Sequence, residues 1–168
     1  MASANLYAIR DVRSSVSDCI YNVKMEIEQV MSITEEIYDS FRRLIPQLTS
    51  TTLPPTKGDL DALIKSDSSI LFIARYPNEK SLIIGAGCLT VYRVLTGVKG
   101  IIEDVIVDES ARAHGIGESL VRHMLDFARN KGAKGVALTS NPKRISANRL
   151  YQRIGFELRE TNAYFFRF

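Results

Sequence analysis

The chain has 168 residues, 45% hydrophobic and 24% charged, which is the length and balance of one ordinary globular domain with a real core and not of a disordered chain. Its net charge of +3, from 22 basic and 19 acidic residues with no long run of either sign, is too mild to argue for nucleic acid. No apolar stretch reaches the roughly 18 residues of a membrane span, residues 1–13 lack the apolar core of a signal peptide, and Cys19 and Cys88 form neither a CxxC nor a metal-ligand spacing with His114 and His123, so a soluble cytoplasmic protein with reduced thiols and no metal is expected.

The first twenty residues carry weak patterning and read as a loose extension of a single domain over 1–168. Val23, Met25, Ile27 and Val30 predict a strand, with Lys24, Glu26 and Glu28 outward. Ser32 or Thr34 can cap a helix over 35–45, with Ile37, Phe41, Leu44 and Ile45 on one stripe, and Pro46 is expected to end it. A short second helix follows Thr56. Strands are then expected over 70–76, over 82–94 with a bend near Gly85 and Gly87, and over 101–107, joined by turns at 77–80 and 96–100 as an antiparallel meander. A polar loop at 108–114 leads into an amphipathic helix over 115–131. A strand over 135–140, a helix after Pro142 that ends at Gly155, and two closing strands over 156–159 and 164–168 complete the chain.

The sharpest local signal is Arg112-Ala113-His114-Gly115-Ile116-Gly117, between a strand and an amphipathic helix. The first turn of a helix has free N–H groups and the positive end of the dipole. Glycines let the backbone curl toward an anion, and Arg112 can add a charge-assisted contact. The natural ligand is a pyrophosphate. A P-loop, GxxxxGK[ST], does not occur, and Gly117 is followed by Glu118, Ser119 and Leu120, which rules out GxGxxG.

Here the sequence resembles the GNAT superfamily of acetyl-CoA-dependent N-acetyltransferases. The family's phosphate loop, [RQ]-x-x-G-x-[GA], is matched by Arg112, Gly115 and Gly117. The stretch 102–108 is similar to its fourth strand. Its later signature, A-x-x-L-Y-x-x-x-G-F, is matched by Ala147, Leu150, Tyr151, Gly155 and Phe156. The resemblance covers about half the chain, and the earlier half fits by element order alone. It implies an α/β (α+β) fold with a mixed, mostly antiparallel central sheet flanked by about four helices. It also implies acetyl-CoA as cosubstrate, held by the backbone of Val105, Ile106 and Val107 on a splayed strand and by Arg112, Ala113, His114, Gly115, Ile116, Gly117 and Glu118. The family often carries Asn three residues before the Ala of the last motif. Arg144 stands there instead, which leaves Asn148, one turn on, to supply the amide contact to the cofactor.

Acetyl transfer to an amine needs a base for the ammonium proton, an acid for the leaving thiolate and a donor for the carbonyl oxygen. By resemblance Tyr151 is the acid and also touches the cofactor, although helical period alone would make it a core residue. Alternation places Ile101, Glu103, Val105 and Val107 on one face and Ile102, Asp104 and Ile106 on the other, so Glu103 is the favoured base, ahead of Asp104 or a water relay. Direct transfer in a ternary complex is implied, and Cys88, in an apolar strand without a neighbouring His, is a poor nucleophile. His114 and His123 read as surface residues.

The Glu103-Asp104 pair is similar to a strand of the glucosamine 6-phosphate N-acetyltransferases, and Lys143 and Arg144 could meet a sugar phosphate. A primary amine of a small molecule is therefore the expected acceptor. A protein lysine or N-terminus, met in a groove lined by 49–56 and 161–168, is the second reading. A non-catalytic CoA-binding module is the third. The apolar tail Tyr164-Phe165-Phe166 either closes the sheet or pairs across a homodimer.

Overall fold

The computed structural model describes residues 25–75 and 81–168. The expected loose extension, Val23 and Lys24 of the first strand, Cys19, and the turn at 77–80 lie outside the described residues. Five strands follow one another in space as they do in sequence: β1 (Glu26–Gln29), β2 (Ser69–Arg75), β3 (Ile83–Val94), β4 (Gly97–Val107) and β5 (Val136–Leu138). The first four are antiparallel, and β5 joins β4 in parallel after a helical crossover. With four helices, this is the mixed, mostly antiparallel fold that the sequence implies.

Helices α1 (Glu35–Leu48) and α2 (Lys57–Ile64) cover one face of the sheet, and α3 (Ile116–Asn130) covers the other. Thr34 caps α1 by accepting from the Ile37 N–H at 3.2 Å, and Glu35 and Glu36 favour the positive end of its dipole. Ile37, Phe41 and Leu44 recur at helical spacing and pack on Leu71, Ile73, Ile83, Ala86 and Ile106. On the other face Ile116, Leu120, Val121, Met124 and Ala128 meet Phe72, Ala74, Leu89 and Ile102. Full burial of each large aliphatic chain in these layers contributes about 2 kcal/mol. Among the described residues no helix is long and apolar enough to cross a membrane.

Four expectations about the elements change. Pro46 does not end α1, which runs to Leu48. Proline removes one backbone donor, but so close to the C-terminus the remaining turn is closed by Thr49 N–H on the Ile45 carbonyl, 3.1 Å. The β3–β4 turn is tighter than expected: only Leu95 and Thr96 lie outside the ladder, and Gly97 already pairs with Val94. Strand β5 holds only Val136–Leu138. The closing strands over 156–159 and 164–168 do not form. Phe156 still packs against the core, but Leu158, Tyr164, Phe165, Phe166 and Phe168 are all exposed. Apolar alternation makes a strand only when a neighbour completes its hydrogen bonds, and none does so here.

Candidate active site

The parallel pair β4–β5 sets the geometry. Its register runs from Gly100↔Val136 through Ile101↔Ala137 to Ile102↔Leu138 and then stops. Strand β4 continues to Val107, still paired with β3 on its other side. Beyond Ile102, where β5 ends, the β5 side of β4 is therefore unpaired, and a cleft opens between residues 103–105 and 138–140. Val105, Ile106 and Val107 lie on this splayed segment, and the N-terminus of α3 closes the carboxyl ends of the strands, where open sheets characteristically receive ligands.

The loop into α3 is braced by its own atoms. Buried Asp108 accepts from the N–H and hydroxyl of Ser110, at 3.0 and 2.6 Å, and holds the short 3-10 turn Glu109–Ala111. Arg112 Nε donates to the Val107 carbonyl at 3.2 Å, and His114 Nδ1 lies 2.9 Å from the Arg112 carbonyl. His114 is exposed, as expected, but its ring turns back onto the loop. Gly115 caps α3 at φ 77, a left-handed conformation that costs a side-chain-bearing residue. An added Cβ there meets nothing within 4 Å, so it is the backbone angle and not crowding that calls for glycine. At Gly117 a Cβ would lie 3.6 Å from both Leu150 and Val107, ordinary contact, which marks how closely α3 approaches its neighbours. The N–H groups of Ile116, Gly117 and Glu118 find no acceptor among the described residues. Three unpaired donors at the positive end of a 15-residue helix fit a diphosphate. The Glu118 side chain points elsewhere, paired with Arg122 at 2.8 Å and Arg153 at 2.7 Å, and these partners hold its carboxyl below the usual range.

A cleft of about 290 Å³ lies beside the splay, lined by Glu103, Asp104, Val105, Ser140, Arg144 and Tyr151, with Leu48, Thr49 and Thr52 from the end of α1. The structure thus brings both candidate carboxylates and the candidate acid together, although not by the alternation read from sequence. Ala86 pairs with Ile106 and Cys88 with Glu103, so Asp104 and Val105 together oppose Gly87. This is a β-bulge, and Asp104 takes a left-handed φ of 52 to make it. The bulge reverses the phase of the strand: Ile102 and Val105 both pack on the α3 side, and Ile106 packs on the α1 side. Glu103 consequently does not share a face with Val105 and Val107, and both carboxylates open onto the cleft.

The electrostatics follow from this crowding. Partial burial, and then the charge of Asp104, push the Glu103 carboxyl above its ordinary value. Burial pushes the Tyr151 phenol up, and the charge of Arg144 opposes that rise. A raised Glu103 carboxyl is the stronger base, and a raised Tyr151 phenol still holds its proton at neutral pH. The rate at limiting substrate should rise as Glu103 ionises. Asp104→Asn removes a negative neighbour, lowers the Glu103 pKa and shifts the acidic limb of the pH–rate profile to lower pH; an unmoved or upward-shifted limb would show that Glu103 is not the base.

Tyr151 sits on α4 (Ile145–Ile154), its ring edge-on to Phe156 at 5.9 Å. Asn148 directs its amide N–H₂ to the Asn141 carbonyl at 3.0 Å and so braces the turn between β5 and α4. Arg144 Nη2 donates to the Leu48 carbonyl at 2.9 Å, a tether between α4 and the end of α1 that no sequence signal announces. The Ser140 hydroxyl, which sequence reasoning did not single out, is buried without a hydrogen-bond partner among the described residues; such an orphan costs about 1–3 kcal/mol until something satisfies it. Cys88 is half-buried, and burial followed by the charges of Asp104 and Glu103 raises its thiol to about 11, the opposite of what a nucleophile needs. His123 is exposed, with its ring against Phe72 at 5.1 Å. Thr49 and Thr52 line the cleft as a peptide groove would require, but none of 161–168 does. No cluster of metal-ligating side chains occurs among the described residues.

Comparison with known proteins places this geometry. A probable glucosamine 6-phosphate N-acetyltransferase 2 from Oryza sativa is 34% identical over 102 residues, which are 58% of this chain and 60% of that protein. The match therefore spans less than two thirds of the rice relative. Among solved structures, an acetyltransferase from Trypanosoma brucei superposes with a TM-score of 0.69 at 23% identity, covering 86% of this chain and 100% of that one. The glucosamine-6-phosphate N-acetyltransferase of Arabidopsis thaliana gives 0.69 at 20% identity, covering 85% and 98%. At these identities the superpositions speak for the fold. Residues 31–156, well over half of the chain, match the acetyltransferase (GNAT) family, and the chain belongs to that family.

Proposed function

We propose that this protein is an acetyl-CoA-dependent N-acetyltransferase that acetylates a primary amine of a small molecule, of which an amino sugar phosphate is the best candidate. One observation carries the reading: free N–H groups at the start of α3 stand at the end of a splayed β4, beside a cleft that holds two carboxylates and a tyrosine. Coenzyme A would be held by its diphosphate on Ile116, Gly117 and Glu118 N–H and along the open edge at Val105–Val107. When bound, it supplies the activated acetyl group.

The residues of the chain then have defined work. Glu103, with Asp104 beside it, draws in the ammonium and accepts its proton. The free amine attacks the thioester carbonyl, whose oxygen gains charge next to the open β4 backbone. The C–S bond breaks, the departing sulfur takes the phenolic proton of Tyr151, and the surplus proton on the acylated nitrogen passes to the phenolate and restores it. Transfer is direct, since Cys88 is protonated at neutral pH and does not line the cleft. The small-molecule reading is supported by the rice relative and by a cleft walled on one side by the end of α1, with no contribution from 161–168. The exposed tail Tyr164-Phe165-Phe166 supports a homodimer as part of the same proposal.

Thiol release from acetyl-CoA across a panel of amines tests the reading. Glucosamine 6-phosphate is expected to give turnover well above buffer. Release with peptides alone would move the acceptor to protein, and release with no amine would leave only a CoA-binding domain.

A further inference from the structure

The cleft carries charge of both signs. Glu103 and Asp104 account for a cationic amine. Arg144 lines the same cleft, and its environment differs from that of the chain's structural arginines. Arg43, Arg75, Arg122, Arg129 and Arg153 each pair with a carboxylate. Arg144 pairs with none among the described residues, and its single hydrogen bond goes to a neutral carbonyl, that of Leu48 at 2.9 Å. Its Nε and Nη1 have no acceptor there. The bond to Leu48 fixes the head of the side chain and so removes much of the entropy cost of holding it in place. Ser140, whose buried hydroxyl lacks a partner among the described residues, lines the same cleft. A fixed, unpaired guanidinium beside a donor that lacks a partner is what an oxyanion would satisfy.

We infer that Arg144, with Ser140 beside it, selects acceptors that carry an anionic group, a phosphate above all, on the same small molecule as the amine. The inference rests on the proposed acetyltransferase reading and deepens it. The ammonium goes to Glu103 and Asp104, the anion to Arg144, and the acceptor is oriented by both ends. A purely structural brace between α1 and α4 would leave no preference among acceptors.

Binding and turnover separate these cases. Calorimetry on the full chain saturated with CoA would compare glucosamine 6-phosphate with glucosamine, in the parent and in Arg144→Gln and Arg144→Lys. The parent should favour the phosphorylated sugar. Arg144→Gln should cut that preference by roughly tenfold or more, and Arg144→Lys should restore part of it. The kcat/KM ratio of the two sugars should fall in parallel, through KM. Loss of the Arg144 charge also lets the Tyr151 pKa rise, but that affects both sugars alike and leaves their ratio unmoved. Equal affinity of the parent for both sugars, binding of neither, or a ratio unchanged in Arg144→Gln would overturn the inference. Failure of the acetyltransferase reading shows separately, as absent thiol release whatever the sugars' affinities.

Discussion

Tyr151→Phe, which removes one oxygen atom, is expected to lower turnover by about 10²–10³-fold. The ring packs edge-on against Phe156 at 5.9 Å, and phenylalanine preserves that contact, so the fold should be little disturbed. Coenzyme A should still bind the variant, with an affinity within about threefold of the parent, because the diphosphate contacts lie on another helix. In the parent, activity should be lost at alkaline pH as the phenol ionises. Burial raises that pKa, so the basic limb lies above the ordinary tyrosine value. Steady-state turnover, together with equilibrium binding of CoA, checks the pair of expectations. Parent-like turnover in Tyr151→Phe would transfer the acid role to solvent.

The second large effect concerns Arg43, far from the reacting atoms. It pairs with Asp108, only 7% exposed, and donates from Nη2 to the Ile83 carbonyl at 2.6 Å. Gln47, one turn on, accepts from the Glu109 N–H at 2.9 Å. These bonds tie α1 to the loop that leads into α3. Arg43→Met would leave a buried carboxylate with only the Ser110 donors. A fully buried pair broken in this way costs about 3–5 kcal/mol, and because Arg43 is partly exposed a loss of about 2 kcal/mol is expected. CoA should also bind more weakly, since Asp108 sets the turn that presents the α3 N–H groups. Adding Asp108→Asn should recover part of the stability, because no charge is then left unpaired. Denaturant midpoints of the two single variants and the double variant give the answer. An unchanged midpoint in Arg43→Met would mean that the pair contributes nothing.

Much of this architecture is legible in the residues themselves. Helix α3 declares itself because Ile116, Leu120, Val121, Met124 and Ala128 recur at helical spacing and all become buried. The turn into α3 declares itself because glycine at Gly115 permits a left-handed backbone angle that other residues resist. The bulge at Asp104 was not legible. Reading a strand by alternation assumes one residue opposite one residue, and a two-for-one step at Gly87 reverses every side chain beyond it. Residue type therefore identifies the carboxylate pair, while the bulge overturns the faces that alternation assigns. Pro46 misled because a rule for helix interiors was applied to a last turn. The tail misled because apolar alternation says nothing about whether a partner strand is present. The tether that Arg144 makes carries no local signal, since its bond reaches Leu48 across 96 positions of sequence.

In the proposed mechanism, main-chain donors at the start of α3 receive the diphosphate of coenzyme A. Backbone amide resonances of the full chain, followed during titration with CoA and with pantetheine, test this directly. With CoA the N–H signals of Ile116, Gly117 and Glu118 should shift more than those of the rest of α3, and pantetheine, which lacks the diphosphate, should leave them near their free positions. Saturable CoA binding that leaves these three signals unmoved would contradict the account.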